Sequence, residues 1–314
     1  ALTYRPEYEF AKKVRESLIF DAIELYDETK KALQGDADFS INEIIAISSS
    51  AASGARPKAI VGFNPETKKM HVGIKYAELP EGFVHSIVKF DNLIYDNVLK
   101  GMSAEEKISQ TKGEYIYSLV AKSVGIEMAN TYLVEADGAT HFVTERFDIK
   151  KDSEGLTRRH MHSLSGLLHH NPVESTFGYE NLLKVGEMLN IPHADRVQFF
   201  KTMLFNLIFG NTDDHSRNFS YLMDQSGKWR GAPAYDLTFS TNRKHQMMLN
   251  YKNAYDLTRD HLIKFADIYN IKGSGEMIEQ MIDAKHSYLK ELSTQYQLKE
   301  WYNRIIEKTK TVLH

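Results

Sequence analysis

The sequence predicts an α+β fold with two lobes, a mixed N-terminal lobe over residues 1–148 and a mostly helical C-terminal lobe over residues 149–314. Short apolar segments bounded by turn-forming residues, which are typical of β-strands, are concentrated before Asp148. After that residue, most apolar side chains recur at helical spacing. A chain of 314 residues, 42% of them hydrophobic, is long and apolar enough to build sizeable cores.

The N-terminal lobe is predicted to contain two helices and several strands. Apolar residues at helical spacing predict an amphipathic helix over residues 6–33. A second helix is predicted over residues 112–123, with Glu114 in its first turn. The turn-forming sequence NPETK predicts a hairpin between two of the strands. The strand-like segments are 41–47, 58–63, 69–74, 84–90, 131–136 and 139–147.

The C-terminal lobe is predicted to be helical apart from one hairpin. The apolar run 199–209 indicates a buried helix, and Gly210 is a natural stop for it. The hairpin is predicted to join residues 219–223 to 228–235 through the turn residues DQSG. The other segments with a helical pattern are 161–170, 180–189 and three stretches between Thr258 and the last residue.

A polar loop, GNTDDHSRN at residues 210–218, separates the apolar helix from the hairpin. Charged side chains between apolar segments cost free energy unless each finds a partner or an ion, so the cluster indicates a functional site. Asp213 is followed by Asn218 in this loop, and Asp236 comes after the hairpin. This order is the layout of a protein-kinase active site, in which the first Asp orients the attacking hydroxyl while the Asn and the second Asp hold Mg²⁺. Taken singly, Asp213 and Asn218 are also explained as residues that cap the next element.

Lys89 stands near the end of an otherwise apolar strand. An unpaired ammonium group is costly to bury, so we expect an acidic partner or a phosphate beside it. Glu114 is the candidate for this ion pair. The alternative is an ordinary first-turn glutamate that the helix dipole favours.

The polar run SSSAASGARPK at residues 48–58 is a second candidate element. Small side chains let backbone N–H groups approach phosphate oxygens, and a lysine adds positive charge. Alone, such a run is more often a flexible loop, and the GxGxxG pattern is absent. Its interpretation as a phosphate-binding loop therefore depends on the kinase-like order of Asp213, Asn218 and Asp236.

These segments resemble the HipA-type bacterial toxin kinases. GNTDDHSRNF and APAYDLTFS (232–240) are similar to the matching segments of that family, and SGARPKA (53–59) is similar to its phosphate loop. The likeness also includes VKF (88–90), GEYIYSLVAKSVGI (113–126) and VTERFD (143–148), so it spans nearly the whole chain. HipA-type proteins usually carry a small additional N-terminal subdomain, which we expect to be missing ahead of Ser53 in this chain. In this the chain resembles the compact HipT-like branch, in which that subdomain is a separate protein.

The resemblance implies a two-lobed protein-kinase-like (HipA-like) fold with ATP and Mg²⁺ as cofactors. It implies that Asp213 is catalytic and that Asn218 and Asp236 bind the metal. Backbone groups of a hinge at Glu145 and Phe147 would contact adenine. The predicted cofactor-binding residues are Ser53, Gly54, Ala55, Arg56, Lys58, Lys89, Glu145, Phe147 and His215.

In the HipA-type family, a serine in or beside the phosphate loop is autophosphorylated. A phosphate at this place adds negative charge, which would repel ATP or draw the loop out of the pocket. Some relatives carry a serine where this chain has Ala51. The candidates here are Ser48, Ser49, Ser50 and Ser53, of which Ser53 is favoured because it adjoins Gly54.

The resemblance implies a serine/threonine protein kinase that acts as the toxin of a bacterial toxin-antitoxin system. Its implied substrate is an aminoacyl-tRNA synthetase, whose phosphorylation would arrest translation. The implied antitoxin partners are a DNA-binding HipB-like protein and a small HipS-like protein. Two alternatives stay open, a small-molecule kinase with the same ATP machinery and a catalytically weak kinase-fold binding module.

Composition argues against several other classes of function. A net charge of −3 and a pI near 6.5 oppose direct nucleic-acid binding as the main activity. The absence of cysteine excludes disulfides and thiolate metal sites, and no signal peptide or membrane-length apolar stretch is evident. A cytoplasmic protein without membrane contact is therefore expected. A metal hydrolase is disfavoured because HExxH is absent, although four histidines fall close together at His160, His162, His169 and His170.

Overall fold

The computed structural model divides the chain into two compact units. The first unit comprises Ala1–Tyr115 and Asn130–Leu156, and the second comprises Ile116–Ala129 and Thr157–His314. The sequence analysis places a single boundary after Asp148. The residues that the structure describes are 18–20, 58–72, 78–91, 110–136, 139–152, 155–169, 177–241, 244–249 and 256–312.

The first unit is built on a six-stranded sheet in which every neighbouring pair is antiparallel. Its strands are β1 (Leu18–Phe20), β2 (Lys58–Phe63), β3 (Met70–Val72), β4 (Val84–Lys89), β5 (Thr131–Ala136) and β6 (Ala139–Glu145). Their order in the sheet is β1-β3-β2-β4-β6-β5. In the pairing of β2 with β4, Lys58 lies directly opposite Lys89. Directly opposite residues share one face of a sheet, so the two lysines lie on the same face.

The hydrophobic core of the first unit is formed by residues on or next to strands β2 to β6. After Lys58, β2 is a continuous apolar run, as expected for a strand that is buried on both faces. The hairpin between β2 and β3 is closed by Asn64, whose Oδ1 accepts the N–H groups of Glu66 and Thr67. The core residues are Ala59, Val61, Phe63, Met70, Val88, Phe90, Val134, Ala136 and Val143.

The second unit is mainly helical, and the division between the units falls within helix α1 (Gln110–Ser123). Two short strands, β7 (Ile149–Asp152) and β8 (Gly155–Arg158), follow β6 along the chain. The remaining helices are α2 (Leu164–Leu167), α3 (Tyr179–Met188), α4 (His193–Phe209), α5 (Arg259–Ile268), α6 (Ser274–His286), α7 (Tyr288–Gln295) and α8 (Lys299–Thr309).

Two small sheets complete the second unit. The first contains β9 (His160–Ser163), β11 (Ser220–Met223) and β12 (Trp229–Gly231), with β11 in the middle and antiparallel to both neighbours. The other pairs β10 (Phe177–Gly178) in parallel with β13 (Met247–Met248). The hairpin that the sequence predicts after the polar loop is thus present as β11 and β12.

Helix α4 lies at the centre of the second unit. Almost every side chain from Phe199 to Phe209 is buried, which is expected of a helix that is apolar on all sides. The rings of Phe205 and Phe209 stack with centroids 4.1 Å apart, and the ring of Tyr117 meets both edge-on. The helix ends at Gly210, which adopts a left-handed conformation with φ 72°. A rigid, buried helix therefore carries the polar loop.

The structure corrects three sequence predictions. Residues 18–20 fall inside the predicted helix 6–33 but form β1, because pairing with the edge of the sheet at β3 outweighs the helical spacing of the apolar residues. Residues 161–163 belong to β9 rather than to a helix, since they pair with β11. Four helices, not three, follow Thr258. No helix within the described ranges is both long and apolar enough to span a membrane.

Candidate active site

The polar loop 210–218 is anchored where α4 ends. The N–H of Asn211 donates to the carbonyl of Asn206 at 3.0 Å, which satisfies one of the last carbonyls of the helix. The side chains of the same two asparagines are joined by a second bond, at 2.9 Å. The first residues of the loop are therefore fixed to the buried helix.

Lys308 of α8 makes a second anchor for the loop. Its Nζ donates to the carbonyl of Gly210 at 3.2 Å, to Oγ1 of Thr212 at 2.9 Å and to the carbonyl of Ser240. Burial lowers the pKa of Lys308 to about 8. Three acceptors match the three N–H bonds of an ammonium group, so this side chain joins the loop to the chain beyond the hairpin.

Asp213 and Asn218 stand at the two ends of a tight turn. Residues 216–218 form a single 3₁₀ turn, and the N–H of Asn218 donates to the carbonyl of His215 at 2.8 Å. The side-chain Nδ2 of Asn218 donates to the main-chain carbonyl of Asp213 at 2.9 Å. Because the amide nitrogen closes the turn, the amide oxygen is the atom that can serve as a ligand for a hard cation.

The neighbouring carboxylates of Asp213 and Asp214 have different surroundings. Asp214 is fully buried and accepts bonds from Tyr179 Oη at 2.6 Å and from the N–H of Gln246 at 2.7 Å, with His245 Nδ1 at 2.8 Å. Asp213 is half-buried, and its Oδ1 accepts a bond from Gln246 Nε2 at 2.7 Å. A buried carboxylate with several donors is a structural anchor, whereas the half-buried one is accessible for chemistry.

Asp236 adopts a backbone conformation that is unusual for a residue with a side chain. Its φ is 58°, in the left-handed region, which Asp and Asn tolerate better than most residues. The preceding residue, Tyr235, donates its hydroxyl to the carbonyl of Arg217 at 2.6 Å and lies 2.6 Å from Ser220 Oγ. Burial raises the pKa of Tyr235, so the hydroxyl stays protonated as a donor. Tyr235 therefore ties the Asp236 segment to the residue next to Asn218.

In the first unit, Lys89 forms an ion pair with Glu114. The Nζ of Lys89 lies 2.5 Å from Oε1 of Glu114, and the two side chains are only 11% and 3% exposed. Helix α1 begins at Gln110, so Glu114 is not in its first turn and the dipole explanation does not apply. The pair instead holds a buried ammonium group near the end of β4, on the face that also carries Lys58.

The predicted hinge residues follow at the end of β6. The side chain of Glu145 accepts bonds from Tyr132 Oη at 2.7 Å and from Asn130 Nδ2 at 3.0 Å, and its N–H donates to the carbonyl of Asn130. The carboxylate of Glu145 is thus engaged within the unit, and its main-chain carbonyl accepts a bond from Thr144 Oγ1 at 3.5 Å. Phe147 follows in a turn that precedes β7.

Of the other predicted site residues, His215 lies in the described part of the chain and most of the phosphate loop does not. His215 precedes the 3₁₀ turn in the second unit, and its Nδ1 is buried without a hydrogen-bond partner among the described residues. Among the described residues of both units, no group of three or more His, Asp or Glu side chains is placed to hold a metal ion. The predicted phosphate loop and phosphorylation sites lie outside the described residues; these are Ser48, Ser49, Ser50, Ser53, Gly54, Ala55 and Arg56.

The structure adds residues that the sequence analysis did not identify. They come from α3, from the segment after Ser240 and from α8, and only Tyr235 lies in a segment that the sequence analysis quotes, APAYDLTFS. The doubled carboxylate at Asp213 and Asp214 is the one signal in the sequence, since a second acid in a loop needs its own donors. The added residues are Tyr179, Tyr235, His245, Gln246 and Lys308.

Comparison with known proteins identifies relatives that match part of this chain. The serine/threonine-protein kinase toxin HipA of Shewanella oneidensis is 26% identical over 199 residues, which cover 57% of this chain and 42% of that protein. A Sinorhizobium fredii protein named as a kinase, Y4mE, is 29% identical over 135 residues, covering 40% of this chain and 32% of its own length. The chain thus matches less than half the length of either relative.

A solved structure is similar to this chain in its fold. It is a chain of the Shewanella oneidensis complex of HipA, HipB and operator DNA, with a TM-score of 0.58 and 18% identity over 83% of this chain and 63% of that one. This likeness confirms the kinase-like α+β fold. The family model of the HipA-like C-terminal domain matches residues 50–292, well over half of the sequence. The chain therefore belongs to the family of HipA-like C-terminal domains.

Proposed function

We propose that this chain is an ATP- and Mg²⁺-dependent serine/threonine protein kinase. The observation that carries the proposal is the arrangement of Asp213, Asn218 and Asp236 in the second unit. There the side chain of Asn218 closes a turn onto Asp213, and Tyr235 ties the Asp236 segment to the same turn. A half-buried carboxylate beside an amide oxygen and a second carboxylate is the set of groups that phosphoryl transfer requires.

The donor set fits a magnesium ion. Mg²⁺ is usually bound by one or two protein oxygens together with substrate phosphates, so Asn218 Oδ1 and the Asp236 carboxylate would be sufficient ligands. When bound, MgATP supplies the transferred phosphoryl group and the positive charge that neutralises it. Asp213 would orient the acceptor hydroxyl of a serine or threonine and accept its proton. The positive φ of Asp236 is the type of backbone strain that is concentrated at functional sites.

Residues of the first unit would bind the nucleotide. Lys58 and Lys89 lie opposite each other on β2 and β4, so both side chains are on one face of the sheet, where they would contact the phosphates. The ion pair with Glu114 orients Lys89 for the phosphates. Residues 53–56 would cover the phosphates, and the backbone at Glu145 and Phe147 would contact adenine. In this proposal residues 1–148 form the nucleotide-binding lobe and 149–314 the catalytic lobe.

Relatives support a role as the toxin of a bacterial toxin-antitoxin system. One relative is named as a kinase toxin, and the similar solved structure is a complex with HipB and DNA. We therefore propose a HipB-like DNA-binding antitoxin, a small HipS-like protein as a second antitoxin, and the HipT-like branch of the family. The proposed substrate is an aminoacyl-tRNA synthetase. A comparison of bacterial phosphoproteins with and without induction tests this: a new phosphoserine or phosphothreonine on a synthetase is expected, and its absence contradicts the substrate assignment.

Replacement of the two key carboxylates tests the kinase assignment. Asp213→Asn should lower phosphate transfer about 100-fold or more, because general-base groups contribute about 10²–10⁴ in rate, and it should spare nucleotide binding. Asp236→Asn should abolish transfer and also weaken Mg²⁺-dependent ATP binding, since a neutral amide is a poorer ligand for a hard cation. Asn tolerates the left-handed region, so the backbone at residue 236 should not change.

Autophosphorylation with labelled ATP is the assay, combined with calorimetric titration of a non-hydrolysable ATP analogue. Asp267→Asn, a change on the exposed surface of α5, is the matched control and should behave as wild type. Mass spectrometry of the wild type, with Asp213→Asn as the blank, should find phosphate on at least one of Ser48, Ser49, Ser50 and Ser53. Phosphate transfer at the wild-type rate by both Asp213→Asn and Asp236→Asn would refute the kinase assignment. Phosphate found only outside residues 48–53 would refute the proposed autophosphorylation of the phosphate loop and leave the kinase assignment in place.

A further inference from the structure

Gln246 is the residue that joins the two adjacent carboxylates of the loop. Its side-chain Nε2 donates to Asp213 Oδ1 at 2.7 Å, and its main-chain N–H donates to Asp214 Oδ1 at 2.7 Å. One residue thus contacts both the proposed catalytic carboxylate and the buried anchor beside it. Building on the proposed function, we infer that Gln246 is a positioning residue that holds the carboxylate of Asp213 in the orientation needed to receive the acceptor hydroxyl.

The backbone of Gln246 is fixed on both sides. The preceding residue, His245, is buried with its Nδ1 2.8 Å from Asp214 Oδ2. The following residue, Met247, is buried and lies in β13, which pairs with β10. Because both neighbours are fixed, only the side-chain torsions of Gln246 can move its amide relative to Asp213. This is the second layer of support that a precisely oriented catalytic group requires.

The chemistry of an amide suits this role. The NH₂ group of Gln246 donates to the carboxylate without adding a charge, so it restricts the carboxylate's rotation and leaves the negative charge in place. A glutamate at the same place would be the same size but would repel Asp213. A methionine would keep the length and lose the donor. These two replacements therefore separate packing from hydrogen bonding and from charge.

The test uses Gln246→Met and Gln246→Glu with the full-length protein. The maximum rate of autophosphorylation with labelled ATP and the ATP concentration at half-maximum rate are measured for each. A misplaced catalytic group costs up to about 100-fold in rate, so we expect a fall of about 10- to 100-fold for Gln246→Met and a larger fall for Gln246→Glu. The half-maximum ATP concentration should stay within about twofold of the wild type, because the bonds of Gln246 within the described residues go to Asp213 and Asp214 and not to the proposed nucleotide-binding residues.

Two controls make the result specific. Gln198→Met removes another amide of the second unit, which bonds to Gly125 and Glu127, and it should leave the rate unchanged. Gln246→Met added to Asp213→Asn should cause no further loss, since the residue acts through that carboxylate. Rates are normalised to the folded fraction from circular dichroism, so that loss of folding is not read as loss of positioning.

Each outcome decides the proposal. A wild-type maximum rate in Gln246→Met or an equal loss in Gln198→Met overturns the positioning role, as does a further loss when Gln246→Met is added to Asp213→Asn. A raised half-maximum ATP concentration with an unchanged maximum rate also overturns it. If the wild type and Asp213→Asn transfer phosphate equally, the proposed function itself has failed, and this comparison is made in the same assay.

Discussion

The buried hydroxyl of Tyr179 offers a direct measure of how strongly Asp214 holds the loop. Tyr179 is 1% exposed and donates to Asp214 Oδ2 at 2.6 Å. Tyr117 is also fully buried and donates at 2.6 Å, but its acceptor is the main-chain carbonyl of Phe209. The replacement of each tyrosine by phenylalanine removes one hydroxyl from a comparable environment. The two variants differ in the charge of the acceptor that is left behind, and Tyr179→Phe also removes the longer bond, 3.4 Å, that Asn206 Nδ2 donates to the hydroxyl.

The expected magnitudes follow from this difference. A hydrogen bond to a charged group contributes about 1.5–3 kcal/mol to stability, whereas a neutral bond contributes about 0.5–1.5 kcal/mol. Tyr179→Phe should therefore lower the free energy of unfolding by about 1.5–3 kcal/mol and Tyr117→Phe by about 1 kcal/mol. Burial and the charge of Asp214 both raise the pKa of Tyr179, so its hydroxyl remains a donor throughout the neutral pH range.

Urea unfolding followed by tryptophan fluorescence measures both variants in the same transition. The protein has two tryptophans, Trp229 and Trp301, and both belong to the second unit, as do the two tyrosines. The signal therefore reports on that unit alone. An equal loss of stability in the two variants, or a larger loss in Tyr117→Phe, would refute the view that Asp214 is an ionised anchor.

Two further predictions concern buried cations. Lys89→Met leaves Glu114 without the ammonium group of Lys89 and should lower the free energy of unfolding by about 3–5 kcal/mol. In thermal unfolding, the double change Lys89→Met with Glu114→Leu should recover most of this stability. Equal stability of the single and the double variant would contradict the prediction. Because the folded-state pKa of Lys308 is lowered to about 8, the unfolded chain binds more protons above that pH. The free energy of unfolding of the wild type should therefore rise relative to that of Lys308→Met between about pH 8 and the ordinary lysine pKa near 10.4. Urea titrations at pH 7.5, 9 and 10 measure it, and a constant difference in stability between the two proteins would rule this out.

Local patterns predicted those parts of the fold in which local and tertiary preferences agree. The buried helix before Gly210 and the two hairpins are encoded by apolar runs and turn residues that lie next to each other in the chain. The strand at residues 18–20 could not be predicted in this way, because its partner β3 is distant in sequence. The same is true of β9, whose helical-looking sequence is overridden by pairing with β11.

The candidate site was predictable to the extent that its residues lie in one stretch. The order of Asp213, Asn218 and Asp236 can be read from the sequence, and an apolar strand with a single lysine suggests an acidic partner. The supporting side chains could not be found, because each has an ordinary identity for its own element. Tyr179 opens a helix and Lys308 lies in the last turn of another, and only the folded chain brings them to the loop.

The choice between the two adjacent carboxylates shows how burial assigns roles that the sequence leaves equal. Moving an ionised carboxylate out of water is costly, and Asp214 meets this cost with bonds from a tyrosine and a main-chain N–H and with a histidine nitrogen beside it. Those contacts hold Asp214 in the interior, so it is not available to a substrate. Asp213, just before it in the chain, is half-buried and accepts a bond from the amide of Gln246. The buried acid thus makes the loop rigid, and that rigidity lets its neighbour present a carboxylate in a defined direction.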